Sequence, residues 1–149
     1  MASDRGAQER LSKKVKTALD ETRLLILGAQ ILLGFKLQGV FQERFASLSH
    51  TAQLLDCLDQ LLMAITVGLL IAPSMHHLIA ENGEDTQRLL RVTTLYAGVA
   101  LFPFAISVGL SLYIVFEQNY GAVVGITAGT AFFSLAILLW YGLEWLVKR

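Results

Sequence analysis

The chain has 149 residues, of which 54% are hydrophobic and 16% are charged, with 12 basic and 12 acidic residues. In an ordinary soluble domain about a quarter of the residues are charged. The lower charged fraction of this chain therefore excludes an ordinary soluble domain and is typical of a membrane protein. The single cysteine, Cys57, excludes a disulfide within one chain.

The first 23 residues are predicted to form an amphipathic helix that lies on the inner leaflet of the membrane. One helical face is mostly apolar and consists of Leu11, Val15, Ala18, Leu19 and Thr22. Most of the lysines lie on other faces, and anionic lipid attracts each basic residue by roughly 1 kcal/mol. The alternative is a tail that only sets the orientation of the chain.

Four apolar runs follow, over residues 24–45, 54–79, 89–116 and 122–147. A membrane-spanning helix needs about 20 mostly apolar residues, and these runs lack the alternation of barrel strands. The predicted fold is therefore all-α, an integral membrane four-helix bundle over residues 24–149 with the interfacial helix before it. The short segment between the third and fourth runs predicts a tight antiparallel hairpin.

Lysine and arginine are unevenly distributed between the two sides of the predicted bundle. Ten lie at the termini and in the middle loop: Arg5, Arg10, Lys13, Lys14, Lys16, Arg23, Arg88, Arg91, Lys148 and Arg149. The opposite side has only Arg44, while Lys36 lies within a span. Because basic residues mark the cytoplasmic side, both termini are predicted to be cytoplasmic.

The first span carries an unusual number of polar residues for a membrane helix. At 100° per residue, Arg23, Gln30, Gly34 and Gln38 share one face, and Lys36 points to roughly the opposite side. Amides in a membrane form hydrogen bonds between helices, so one interpretation is contact with other helices. The other interpretation is the polar lining of a pore or cavity.

Lys36 lies about 18 Å along the first span from its cytoplasmic end, beyond the middle of the bilayer. The second span enters from the outer side and brings Asp56 and Asp59 to a comparable depth. A contact of Lys36 with Asp59 or Asp56 is therefore predicted, within one chain or between chains. One interpretation is that the Lys36 ammonium group is simply paired with an acid or extends along its aliphatic stem to the water outside the membrane. The other is that it belongs to a charged site in a permeation path.

The predicted cytoplasmic mouth consists of His76, His77, Arg88 and Arg91. His77 and Glu81 have the i,i+4 spacing of a metal pair on a helix, but a closed zinc site needs four ligands. We therefore expect no metal and no cofactor. The histidines are interpreted as an interfacial pair at the cytoplasmic boundary. The alternative is a pair that titrates near neutral pH and gates a pathway.

The fourth span begins with a ridge of small residues, Gly121, Gly125 and Gly129. Small residues at every fourth position let another helix approach closely, so the ridge predicts tight helix packing. The partner is left open between the first span, the third span and another subunit.

Several short motifs resemble a bacterial family of four-span membrane proteins known only as a domain of unknown function. They are E-T-R from Glu21, G-x-Q-x-L-x-G-F from Gly28 and L-I-A-P-x-x-x-H from Leu70. The resemblance covers roughly residues 20–79. It implies a four-helix fold in the inner membrane and supplies no reaction or ligand.

The chain contains no nucleotide-binding motif or nucleophile–base arrangement, so we expect neither an enzyme nor a nucleic-acid-binding protein. The polar residues of the first two spans favour a homo-oligomer that forms an ion or small-solute channel or transporter lined by the first span. The alternative is a structural or accessory subunit that binds a larger membrane complex through the glycine ridge. Under either hypothesis, we expect the chain to lie in the inner membrane of a bacterium and to contact lipids that include anionic ones.

Overall fold

The computed structural model describes residues 2–80 and 87–142, with the side chains of residues 6, 8–43, 45–75 and 87–142. These residues are helical almost throughout and include no strand, which confirms the all-α prediction. In chain order the helices are α1 (Ala2–Gly39), α2 (Glu43–Ala46), α3 (His50–Ala80), α4 (Gln87–Tyr120) and α5 (Ala122–Ile137). A π-helical segment, Leu138–Gly142, continues α5.

Among the described residues, three helical segments are long and apolar enough to cross a membrane. They are His50–Met75, Gln87–Tyr120 and Ala122–Gly142, with mean hydropathies of 1.9, 2.2 and 2.1. The first predicted span does not reach the same apolarity, because its helix ends at Gly39 and contains Gln30, Lys36 and Gln38. Crossing of the membrane by α1 stays a prediction.

The loop between α1 and α3 differs most from the predicted boundaries. The first span was expected to continue to residue 45, but α1 ends at Gly39. Tight turns follow, in which the N–H of Phe41 donates to the Gln38 carbonyl at 3.2 Å. Helix α3 begins at His50 rather than at residue 54, because Ser49 caps it. The Ser49 hydroxyl accepts the backbone N–H of Ala52 at 3.2 Å.

The N-terminal segment is helical, as predicted, but it continues into the first predicted span without a break at residue 23. Helix α1 has 38 residues, which makes it about 57 Å long at 1.5 Å per residue. Its predicted apolar face is covered by protein: Val15 is 1% and Thr22 is 2% exposed. Thr22 lines one cavity together with Thr93 of α4. This packing differs from the predicted interfacial placement, in which lipid covers that face.

The core lies where α1, α3 and α4 meet, and it is built from small and flexible side chains. Ala29, Met63, Leu70 and Ala100 form its buried centre. Helix α5 packs chiefly on α4. The bundle is therefore a three-helix core with one additional helix attached to the side of α4.

Gly121 alone separates α4 from α5, which confirms the tight hairpin. Its N–H donates to the Glu117 carbonyl at 2.9 Å, and its own carbonyl accepts the N–H of Gly125 at 3.1 Å. The backbone has φ 91° and ψ 166°, a combination that residues with a Cβ atom rarely adopt. The turn therefore depends on glycine at this position.

Replacing Gly121 with alanine is expected to lower the free energy of unfolding by roughly 1–2 kcal/mol, because the new Cβ strains the turn. Gly39→Ala is the matched control, since a Cβ atom there meets no neighbour within 4 Å and its φ is not positive. Unfolding by SDS in mixed micelles measures both. Equal stability of the two variants would contradict the role of the turn.

Candidate functional site

The centre of the site is the carboxylate of Asp59, which is 1% exposed. Asp59 belongs to the buried face of α3, together with Ala52, Met63, Thr66 and Leu70. These positions are separated by three, four or seven residues, so they form one helical stripe. The periodicity that buries α3 against α1 and α4 therefore also buries an acidic side chain.

Lys36 reaches this carboxylate from α1. Its Nζ atom lies 2.6 Å from Oδ2 of Asp59, and the Lys36 side chain is only 14% exposed. The predicted contact of Lys36 is confirmed, with Asp59 rather than Asp56 as its hydrogen-bonded partner and within a single chain. The ion pair joins α1 to α3.

Two serines of α4 complete the surroundings of the carboxylate. Ser107, which is fully buried, donates a hydrogen bond to Oδ1 of Asp59. Ser111 donates to Oδ2 at 2.5 Å and accepts a hydrogen bond from the ammonium group of Lys36. Their i,i+4 spacing places both hydroxyls on one face of α4. Each carboxylate oxygen thus has at least one donor, and we call Lys36, Asp59, Ser107 and Ser111 the Lys–Asp–Ser cluster.

The depth of the Lys–Asp–Ser cluster follows from its position along the helices. Asp59 lies nine residues after the start of α3, and Ser111 lies nine residues before the end of α4. Both are therefore about 13 Å from the helix ends on that side. Because a bilayer has a hydrocarbon core about 30 Å thick, the cluster lies within the hydrocarbon if these helices span it.

Burial of this ion pair is not explained by stability. Removing two charges from water costs several kcal/mol for each ion, and their attraction and hydrogen bonds offset that cost only when the geometry is good. Well-packed apolar side chains of similar volume commonly give equal or greater stability. Ionisable groups at such depth are functional-site candidates for that reason.

Asp56 adds a second carboxylate one turn before Asp59 on α3. It is half-buried, its Oδ2 accepts a hydrogen bond from Gln60 at 2.6 Å, and it lies within Coulombic range of both Asp59 and Lys36. Two carboxylates and one ammonium group give a formal charge of −1 when all three are ionised. The site therefore contains one more acidic group than basic groups.

The glutamine face of α1 lies apart from the cluster. Gln30, Gly34 and Gln38 are all exposed, and Lys36 is on the other side of the same helix, in contact with α3. Arg23 is exposed as well and pairs with Asp20 of its own helix, at 3.2 Å. Helix α1 therefore has two separate polar regions, and lining of a pore by the first span stays a prediction.

The predicted cytoplasmic mouth is described only in part. The side chains of His76 and His77 lie outside the described residues, so their titration stays a prediction. Arg88 and Arg91 are exposed on the first turns of α4, where they line one open groove. Within the described ranges, 2–80 and 87–142, no group of three or more potential metal ligands occurs.

The glycine ridge has its partner within the chain. A Cβ atom built on Gly129 would lie 2.7 Å from the carbonyl oxygen of Gly109, and one on Gly125 would lie 2.8 Å from that of Tyr113. Both glycines are buried, which confirms tight packing and identifies α4 as the neighbour. The surface that the accessory-subunit hypothesis requires is therefore already covered.

The hydropathy pattern alone does not indicate the part that Ser107 and Ser111 play. Ser107 and Ser111 lie in an apolar run where isolated hydroxyls are common, because they can bond to their own helix backbone. Two features of the sequence could have indicated it. Ser107 and Ser111 lie four residues apart, and Ser111 is as far from the end of its helix as Asp59 is from the start of its own.

Over residues 2–80 and 87–142, these features define a helical protein with three helices able to cross a membrane and a buried ionic cluster among its helices. The chain belongs to a family of unknown function, DUF6328, whose sequence profile matches residues 4–144. This agrees with the resemblance to an uncharacterised family. No curated protein and no solved structure matches the chain.

Proposed function

We propose that this protein transports a cation across the membrane and that the Lys–Asp–Ser cluster is its working site. The observation that carries the proposal is the ion pair of Lys36 with Asp59, buried at a depth where apolar side chains would cost less. The role is non-catalytic, since transport requires no covalent chemistry at these residues.

The composition of the cluster favours a cation over an anion. The two carboxyl groups of Asp59 and Asp56 outnumber the single ammonium group of Lys36, and the hydroxyls of Ser107 and Ser111 supply further oxygen atoms. Carboxylate and hydroxyl oxygens replace the hydration shell of a proton or an alkali cation. A cation bound at Asp59 competes with the Lys36 ammonium group and thereby loosens α1 from α3 and α4.

The proposal includes the four-span topology in a bacterial inner membrane with cytoplasmic termini. Its support is the contact between Lys36 and Asp59, which requires α1 to reach the same depth as the cluster. The apolar part of α1, residues 24–39, is about 24 Å long and thus shorter than the hydrocarbon core of about 30 Å, so the support comes from the contact and not from the length of this segment. The basic residues before and after the spans support the orientation.

Ion flux into liposomes tests the proposal, with K⁺, Na⁺, H⁺ and Cl⁻ measured separately. We expect flux of at least one cation with the unchanged protein and background flux with the double variant Lys36→Met/Asp59→Leu. The double variant removes both charges together, so neither is left unpaired in the core.

The matched control is Thr127→Val, which removes an exposed hydroxyl of α5 that donates to the Val123 carbonyl of its own helix. This variant is expected to keep the flux of the unchanged protein. Absence of flux for every ion with the unchanged protein would refute transport. Undiminished flux in the double variant would refute the role of the cluster.

A further inference from the structure

Two amide side chains on α1 are exposed in the part of the helix predicted to lie in the membrane. Gln30 and Gln38 face away from α3 and α4, and neither side chain has a hydrogen-bond partner among the described residues. Neighbouring side chains such as Leu27 and Phe35 are also exposed, at 56% and 69%. The glutamines therefore interrupt an otherwise apolar outer surface.

An amide exposed to lipid tails is unfavourable, because hydrocarbon offers it neither a donor nor an acceptor. Glutamine carries both an N–H₂ donor group and a carbonyl acceptor, so two glutamines satisfy each other. A helix with glutamine at matching positions is therefore a suitable partner for this face of α1. The α1 helix of a second copy of the chain is such a helix.

We propose that two copies of this chain associate through α1, with their α1 helices parallel and crossing at Gly34. Gln30, Gly34 and Gln38 form an i, i+4, i+8 row, and glycine stands in its centre. Copies in one membrane share one orientation, so a two-fold axis along the membrane normal places each glutamine opposite the same residue of the other copy.

The geometry of the row fits a close crossing. A Cβ atom built on Gly34 would meet nothing within 4 Å in the single chain, so the absence of a side chain serves no packing within it. Rows of residues four apart interdigitate at right-handed crossings of about −40° to −50°. Each glutamine lies about 6 Å along the axis from Gly34, close enough for long side chains to meet on both sides of the crossing.

This inference rests on the proposed placement of α1 in the membrane but not on transport, since it concerns only how copies associate. It also separates two polar regions by role: the Lys–Asp–Ser cluster joins helices within one chain, and the glutamine face joins chains. The glycine ridge of α5, the other small-residue surface, is covered by α4.

Subunit exchange tests the interface, with donor- and acceptor-labelled protein mixed in liposomes at increasing lipid-to-protein ratios. We expect energy transfer with the stoichiometry of a dimer for the unchanged protein. Gly34→Leu is expected to weaken association by at least tenfold, since the leucine side chains hold the two backbones apart. Gly28→Leu is the control on a different face of α1, and a Cβ atom there also meets nothing within 4 Å.

A second variant, Gln30→Leu/Gln38→Leu, keeps Gly34 and removes both amides, and we expect it to weaken association by roughly tenfold as well. Full helicity of each variant by circular dichroism shows that the fold is retained. A monomeric unchanged protein at every lipid-to-protein ratio would overturn the proposal. It would also be overturned if Gly34→Leu associated as tightly as Gly28→Leu, a result that favours a different partner surface.

Discussion

Replacing Lys36 with methionine is expected to lower the free energy of unfolding by about 3–5 kcal/mol, which is typical when one partner of a buried ion pair is removed. Methionine preserves much of the side-chain volume, so the loss reports mainly the charge. The carboxylate of Asp59, 1% exposed, would keep only the hydroxyls of Ser107 and Ser111 as donors. SDS unfolding in mixed micelles, followed by circular dichroism, measures the change.

The double variant Lys36→Met/Asp59→Leu is expected to recover most of that loss, because no unpaired charge remains in the core. Such recovery separates stability from function: the protein folds but has lost its proposed cation site. If the double variant were as unstable as Lys36→Met alone, packing around residue 36 rather than charge pairing would explain the loss. If Lys36→Met were as stable as the unchanged protein, the ion pair would not form as described.

The fold could be predicted from the sequence where apolar runs are long and uninterrupted. Helices α3, α4 and α5 follow such runs, and the Gly121 turn follows from the short segment between them. The end of α1 could not be predicted in this way. Phe41, Phe45 and Leu48 continue the apolar pattern, whereas the backbone turns after Gly39 and α3 starts at the Ser49 cap.

The candidate site, too, could be predicted from the sequence only in part. Comparable depths of two opposite charges were enough to predict contact of Lys36 with Asp59, because an unpaired charge in hydrocarbon is costly. The participation of Ser107 and Ser111 depends on the rotation of α4 about its axis. Hydropathy does not determine that rotation when nearly every face of the helix is apolar, as in a membrane span.

The amphipathic N-terminal segment illustrates a further ambiguity. An apolar stripe beside basic residues is equally suitable for lipid and for a protein groove, since both bury apolar area. In the structure Val15 and Thr22 are buried, as are Leu89 and Thr93 of α4. The sequence pattern predicts that this face is covered, and only the arrangement of α4 determines what covers it.

Replacing Gly129 with leucine is expected to destabilise the attachment of α5 to α4 by about 3 kcal/mol or more, the upper end of the cost of overpacking. Even the first added atom would lie 2.7 Å from the Gly109 carbonyl oxygen. Because that oxygen belongs to the backbone of α4, the helices must separate. Gly68→Leu is the control, since a Cβ atom there meets nothing within 4 Å.

Because α5 packs chiefly on α4 while the core lies among α1, α3 and α4, the effect of Gly129→Leu is expected to be local. Cysteines introduced in a Cys57→Ser background, one on α4 and one on α5, report their separation by disulfide cross-linking. We expect reduced cross-linking between α4 and α5 in Gly129→Leu, with the contact of α1 and α3 retained. Unchanged cross-linking and stability would show that α4 and α5 do not pack as closely as the glycines allow.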